Sequence, residues 1–386
     1  MTAVNNRSSR ATYRIRLARL DEIDAYTASA WADVEQRALE ANAYLSPHFI
    51  IPALRRLDPE LSPLIVLIER THGSSYELSG VGVFVLRPPN LRFPLPHLSA
   101  YRSPHSYLTG LLIDREYAEP AIQAFLDFIE KGGSGWHGVE FTWRSGEGWA
   151  SPSLETVASE RRVIWYEHSR SQRAVLRPAK CGEDAIARQL SGSRLKELRR
   201  CKRRLAEQGD VSWKLLSGEN VSPLVVDRFL ELEHSGWRGK AGTSLISNST
   251  HEVFFREMID GFRSTEGVFF TELSAGDLVV ASTCNLVSGG AGFAFKIGWH
   301  PGYAKASPGV LNELELIRHA PQLCGELAFL DSGADDGSFI DKLWEDRRDL
   351  VTGVFAASPA GRLAASSMQQ LRRAKRWAGV SLRRAY

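Results

Sequence analysis

Hydrophobic and polar positions alternate with period two along three successive runs in the second half of the chain. GVFFTEL (267–273), LVVASTCNLV (278–287) and GFAFKIG (292–298) are separated by the turn formers Ala275-Gly276-Asp277 and Ser288-Gly289-Gly290. Alternation bounded by glycine-rich turns predicts three antiparallel strands in a meander. The period then changes. From Pro308, residues Val310, Leu314 and Ile317 recur on one stripe, which predicts a helix, and LAFLD (327–331) predicts a strand ending in the polar loop SGADDGS. The first half runs in the same order. PLIVLIE (63–69), SGVGVFVL (79–86) and YLTGLLI (107–113) read as strands, and WHGVEFTWR (136–144) as a closing strand. Between them a helix over about 118–130 turns Ala121, Ala124, Phe125 and Phe128 inward. Strand, strand, strand, helix, strand occurring twice predicts an α/β (α+β) chain of two modules, each a mixed sheet flanked by helices.

These patterns set the expected boundaries: an N-terminal module over 1–148, a connecting segment over 149–222, a C-terminal module over 223–360 and a basic tail over 361–386. Within the connecting segment, LSGSRLKELRRCKRRLAEQG predicts a helix. Leu195, Leu198, Cys201 or Lys202, and Leu205 form its apolar side, and Arg199, Arg200, Lys202, Arg203 and Arg204 crowd the rest. Such a face either holds phosphates or a membrane surface, or is simply solvated. The tail MQQLRRAKRWAGVSLRRAY interleaves Leu371, Trp377, Val380 and Leu382 with cations. It is expected either to touch an anionic membrane or to stay in solvent.

Composition narrows the function classes. A chain of 386 residues, 43% hydrophobic, can build two cores, and a net charge of +3 is too small to argue for nucleic acid by itself. Cys181, Cys201, Cys284 and Cys324 are widely spaced, suggesting neither a disulfide framework nor a zinc site, and a reducing cytoplasm fits. Arg7, Arg10, Arg14, Arg16 and Arg19 have no apolar stretch behind them, and no run approaches the roughly 18–20 apolar residues of a membrane span. A cytoplasmic protein, either soluble or peripheral to the inner face of a membrane through its tail, is the expectation. There is no Walker loop, Gly-x-Ser-x-Gly elbow, His-Glu-x-x-His or dinucleotide glycine fingerprint, which argues against NTPase, hydrolase, metalloprotease and NAD chemistry.

Three places carry candidate chemistry. At the start of the 308–320 helix, Ser307-Pro308-Gly309-Val310 supplies a capping serine, a first-turn proline and a glycine that lets a ligand approach the backbone. With Lys305 upstream, the free N–H groups there make a candidate anion site suited to a pyrophosphate, although many helices open this way and bind nothing. In VVDRFLELEHSGWRGKAGT (225–243), Glu233 falls on the apolar stripe with Val226, Phe229, Leu230 and Trp237. A carboxylate so placed is a candidate general base, or it reaches water or pairs with Lys240. His234 stands beside it as a candidate for proton transfer or substrate contact. Asp331 ends a predicted strand, where it is either a functional carboxylate or part of a turn.

Taken together, FLELEHSGWRGKAGT, FAFKIGWHPGYAKASPGVLNELELIRHA and FLDSGADDGSFIDKLWEDRR resemble the CelD/BcsL-type acyltransferase-like proteins. These belong to the GNAT superfamily and are related to the Fem-type transferases built from two GNAT-like modules. The resemblance runs from about residue 30 to 355 and is strongest after 185, including the basic helix before the second module. It implies transfer of an acyl group from acetyl-CoA or another acyl-CoA to an amine or hydroxyl, on a sugar or lipid-linked precursor of exopolysaccharide or envelope synthesis. It also implies a donor pyrophosphate at the helix start of Ser307, Gly309 and Val310, with Lys305 upstream; matched to the reaction's needs, Glu233 or Asp331 is the candidate base, and His234, Trp237 and Lys240 are candidates toward the acceptor. The family's Arg/Gln-x-x-Gly-x-Gly/Ala loop is missing, since Gly302 and Gly309 stand too far apart. Aminoacyl-tRNA as donor, served by the basic helix, and a catalytically silent scaffold at a membrane are the alternative readings.

Overall fold

The computed structural model describes residues 12–72, 74–131, 135–146, 157 and 160–383, with side chains to residue 374 except those of His72 and Trp237. Its strands are β1 (Tyr13–Ala18), β2 (Leu64–His72), β3 (Ser75–Arg87), β4 (His97–Ala100), β5 (Leu112–Ile113), β6 (Gly138–Ser145) and β7 (Ile164–Leu176). They continue as β8 (Val211–Ser217), β9 (Val268–Ala275), β10 (Leu278–Ser288), β11 (Ala291–Trp299), β12 (Leu330–Asp331) and β13 (Asp346–Ala356). The helices are α1 (Ala25–Gln36), α2 (Pro47–Arg56), α3 (Ala118–Lys131), α4 (Glu183–Gln189) and α5 (Gly192–Ala206). After them come α6 (Pro223–Ser235), α7 (Trp237–Lys240), α8 (Ser249–Arg263), α9 (Pro308–Leu323) and α10 (Pro359–Arg383).

One continuous sheet runs in the order β1-β2-β3-β4-β6-β13-β7-β12-β11-β10-β9-β8, with β5 on β3. Pairing is antiparallel except at β4/β6 and β11/β12, where only two residue pairs each are parallel. The mixed, mainly antiparallel sheet expected from the alternation is therefore present. Its centre lies in segments with no clear alternation. β7 falls in the stretch read as a connecting segment, yet it pairs with β13 from Val175/Asp346 to Ile164/Ala356 and touches β12 at Leu176 and Val175. β13 in turn pairs with β6. The last strand of the chain thus lies beside the first half of the sheet, and β7 beside the second.

Local chemistry explains the elements that frame the site. The β9–β10–β11 meander forms at the two glycine turns, where Gly276, Gly289 and Gly290 take positive φ. On one face of it, Phe49, Phe229, Phe254, Phe255, Phe293 and Phe295 join a core with Trp31, Tyr44 and Leu108 of the first half. On the other, α5 and α9 bury Leu198, Cys201, Leu205, Leu311, Leu314, Leu316 and Ile317. Each large side chain so buried contributes about 1.5–3 kcal/mol. In α5 it is Cys201 that turns inward, while Lys202 points out and pairs with Glu315 at 2.7 Å.

Some expectations need correction. Of the predicted strand 107–113 only Leu112–Ile113 is β, because Thr109 turns away to bond the backbone of Thr142 in β6. The helix read through 225–243 stops at Ser235, where Gly236 is extended. The stripe assigned to Val310, Leu314 and Ile317 widens to nearly the whole circumference of α9. The first part of the tail is a docked helix. Ala365 of α10 is buried in a cluster with Tyr166 and Val354, and Gln369 donates to the Trp165 carbonyl. Trp377, Val380 and Leu382 lie outside the described side chains. No helix among the described residues is long and apolar enough to cross a membrane.

Candidate active site

The site begins where β11 and β12 part. They pair only at Gly292/Leu330 and Phe293/Asp331. On its other edge β11 pairs Ala294 with Asn285 and Lys296 with Cys284, leaving Phe295 as an extra, bulged residue. A bulge bends its strand and disrupts the ladder locally. Beyond Asp331 the chain crosses close to β11 at Gly333, whose φ is +63; a Cβ there would lie 2.5 Å from the Ala294 carbonyl oxygen. Only glycine accommodates both conditions. The gap opens into a cavity of about 300 Å³ lined by Tyr107, Arg238, Thr283, Ala294–Ile297, Glu313, Ser332–Asp335 and Trp344.

The cavity reaches both faces of the sheet, because neighbouring strand residues point to opposite sides. Ile297 pairs with Thr283, and both face α9: the Thr283 hydroxyl donates to Glu313 at 3.0 Å, and Ile297 packs near Gly309. Lys296 pairs with Cys284 on the other face, toward α6 and α8. A molecule seated in the split can therefore be reached from two directions.

On the α6 side, Glu233 lies on the buried stripe with Val226, Phe229 and Leu230, is 2% exposed, and sits behind the cavity wall, beside Arg238, rather than lining it. Its Oε2 accepts from the Leu245 N–H at 2.9 Å; its Oε1 has no hydrogen bond and sits 3.8 Å from Arg238 Nη1. Helix α6 lies so close to β11 that a Cβ on Gly298 would approach the Glu233 nitrogen to 2.6 Å. Lys296 is 7% exposed. Burial, then the charge of Arg238, holds its ammonium down to about 8, while Glu233 pulls the other way. His105 and His251 share a 3.2 Å hydrogen bond nearby, and burial followed by Lys296 pushes His105 down to about 3. Both imidazoles lie near the same cation.

Tyr107 reaches this cavity from the first half of the chain. The matching parallel contact, β4/β6, also ends after two pairs, but there Thr109 bonds both the N–H and the carbonyl of Thr142. The loop that fills this first gap carries Tyr107 to the second. Arg173 fastens the arrangement, donating to the carbonyls of Tyr107 at 2.7 Å and Ala334 at 3.0 Å.

Asp331 is deeply buried and fully engaged. It meets Arg348 at 3.0 Å and Arg173 at 3.4 Å and accepts from the Gly333 N–H at 2.8 Å. It ties β12, β7 and β13 together, and it is not among the residues lining the cavity. On the α9 side, Glu313 is fully buried, with one oxygen on Thr283 and the other unpaired. Burial pushes its carboxyl up to about 7, with the hydrogen bond from Thr283 opposing.

The helix start behaves partly as expected. Pro308 occupies the first turn, but Ser307 is left-handed at φ 49 and its side chain caps nothing. Gly309 is buried, and a Cβ there would meet Ile297 at 3.3 Å and Trp299 at 3.5 Å. Val310 is half-buried; Lys305 is exposed, and its carbonyl accepts from Arg204 at 3.3 Å. The structure thus brings α9's first turn against the splayed half of β11. Of the acceptor candidates, His234 is exposed and bonds Ser244 at 2.8 Å, and Lys240 is exposed. Neither lines the cavity, and the Trp237 side chain lies outside the described ones. Lys296, Arg238, Tyr107 and Glu313 were not singled out from the sequence. A lone lysine inside the apolar run FAFKIG was the available signal.

Residues 192–339 match the family described as Acetyltransferase (GNAT) domain, a span that holds most of the cavity wall. No curated protein matches the chain by sequence. Among solved structures, the C-terminal domain (DUF2156) of a putative lysylphosphatidylglycerol synthetase from Agrobacterium fabrum is similar, with TM-score 0.51 and 13% identity over 90% of this chain and 97% of that one. A conserved protein of unknown function from Bacteroides thetaiotaomicron VPI-5482 gives 0.52 and 13% over 89% and 100%. FemX gives 0.46 and 8% over 72% and 81%. For the first two, at these identities, the likeness is one of fold. The chain has a mixed α/β fold of GNAT type, and residues 192–339 match the Acetyltransferase (GNAT) domain family.

Proposed function

We propose that this protein transfers an acyl group from an acyl-CoA thioester to an amine or hydroxyl acceptor. The observation that carries the reading is the split between β11 and β12, which opens a polar cavity through the sheet beside the start of α9. An extended, uncharged arm fits a gap between parting strands, where backbone groups lack sheet partners, and the uncapped first turn of α9 suits a diphosphate. Acyl-CoA, when bound, supplies a carbonyl already activated toward attack.

The chain's own residues would do the rest. Backbone N–H groups at the Phe295 bulge are candidates to polarise the acyl carbonyl, as fixed donors do in a site without bulk water. Glu233, with one oxygen held by Leu245 and the other unpaired, is the candidate to take a proton from the acceptor. Holding donor and acceptor in line supplies on the order of 7 kcal/mol in favourable cases. A sugar or lipid-linked acceptor, as in the CelD/BcsL likeness, is compatible with entry from the α6 side. Calorimetry with acetyl-CoA and CoA, together with native mass spectrometry of the freshly purified protein, tests the reading. Micromolar binding is expected, and no binding to either would remove it.

A further inference from the structure

The wall of the cavity opposite α9 holds a buried lysine that has no ion-pair partner among the described residues. Lys296 lines the cavity at 7% exposure, and among the described residues its ammonium makes no hydrogen bond or ion pair. Isolated charges are strongly disfavoured away from water, so buried ones are paired or meet a ligand. Arg238 lines the same wall. The carboxylate facing both is Glu233, which already accepts from Leu245. Asp331 is engaged by Arg173 and Arg348. Glu313 belongs to the other face, and Asp335 is exposed.

We propose that Lys296 and Arg238 form an anion subsite for the acceptor, so that the molecule receiving the acyl group carries a carboxylate or phosphate close to its nucleophilic amine or hydroxyl. This rests on the acyl-transfer reading above. The anion belongs to the acceptor because the donor's diphosphate is expected at α9, on the opposite face, and the arm that would thread the split is uncharged. An ammonium and a guanidinium on one wall, with Glu233 alongside, suit a substrate that presents an anion and a protonatable amine together. A cavity of about 300 Å³ is the size for a small molecule or one end of a larger one.

Reductive methylation of the full chain with formaldehyde, read by peptide mass spectrometry, reports how readily the Lys296 amine reacts. Inorganic phosphate or acetate should slow it at least tenfold relative to chloride at equal ionic strength, and the more effective ion identifies phosphate or carboxylate as the group taken. The exposed Lys240 and Lys305 are internal controls and should change less than twofold. Absence of selective slowing by both anions overturns the subsite. Turnover with acetyl-CoA is then compared for phosphoethanolamine against ethanolamine and alanine against alaninamide. In Lys296→Met, kcat/KM for the anionic member relative to its uncharged-tail partner should fall ten- to a hundredfold. An equal fall in kcat for both members would instead assign Lys296 to carbonyl polarisation and overturn the acceptor role. Arg238→Gln, at a side chain 30% exposed, should shift that ratio in the same direction if Lys296→Met does not fold. CoA binding without anion protection removes the subsite and leaves acyl transfer standing; protection without CoA binding does the reverse.

Discussion

Glu313→Gln should make the protein more stable at alkaline pH and leave it nearly unchanged at acid pH. The carboxyl is fully buried, accepts one hydrogen bond from Thr283 at 3.0 Å and leaves its other oxygen unpaired. Burial raises its pKa from 4.5 to about 7. A folded state that holds a proton more tightly than the unfolded one has its full advantage below the unfolded pKa. That advantage is lost as pH rises through the folded value. A gap of about 2.5 pH units at about 1.4 kcal/mol each amounts to roughly 3 kcal/mol. Glutamine keeps the acceptor for Thr283 and cannot ionise. Urea unfolding should therefore give variant and wild type within about 1 kcal/mol of each other near pH 4.5, with the variant ahead by about 3 kcal/mol at pH 8. Glu35, also buried and raised to about 7, is present in both proteins and cancels in the difference. A difference that is the same at both pH values, or a variant weaker at pH 8, would refute the reasoning.

Other substitutions probe the frame and the chemistry. Gly298→Ala places a Cβ 2.6 Å from the Glu233 nitrogen and should cost about 1–3 kcal/mol in urea unfolding by forcing α6 off β11. Asp331→Ala leaves Arg173 and Arg348 buried without their shared carboxylate and should cost about 3–5 kcal/mol; a loss under 1 kcal/mol would contradict its role as a strut. Glu233→Gln should lower turnover at least tenfold with CoA affinity unchanged in calorimetry, and unchanged turnover would take it out of the mechanism.

The local order of the second half was legible in the sequence because it is written at short range. Turn glycines at 276, 289 and 290 and period-two alternation specify the β9–β11 meander, and apolar spacing places Glu233 on the buried stripe of α6. Proline in the first turn likewise marks the start of α9. The strands at the centre of the sheet carry no such signature. Arg170 of β7 pairs with Glu167 of the same strand and with Asp349 of β13, and these charges give each strand a polar look in isolation.

Tertiary structure alone decided what the split contains. Asp331 read as either a functional carboxylate or part of a turn; in the fold two arginines from β7 and β13 close on it across 158 and 17 residues of chain. Lys296 read as one polar position in an apolar strand; its isolation comes from Glu233, Arg238 and Tyr107 arriving from three other segments. Periodicity reports which way a side chain points relative to its own element. Whether a charge there finds a partner depends on neighbours distant in sequence, and that information appears only once the chain has folded.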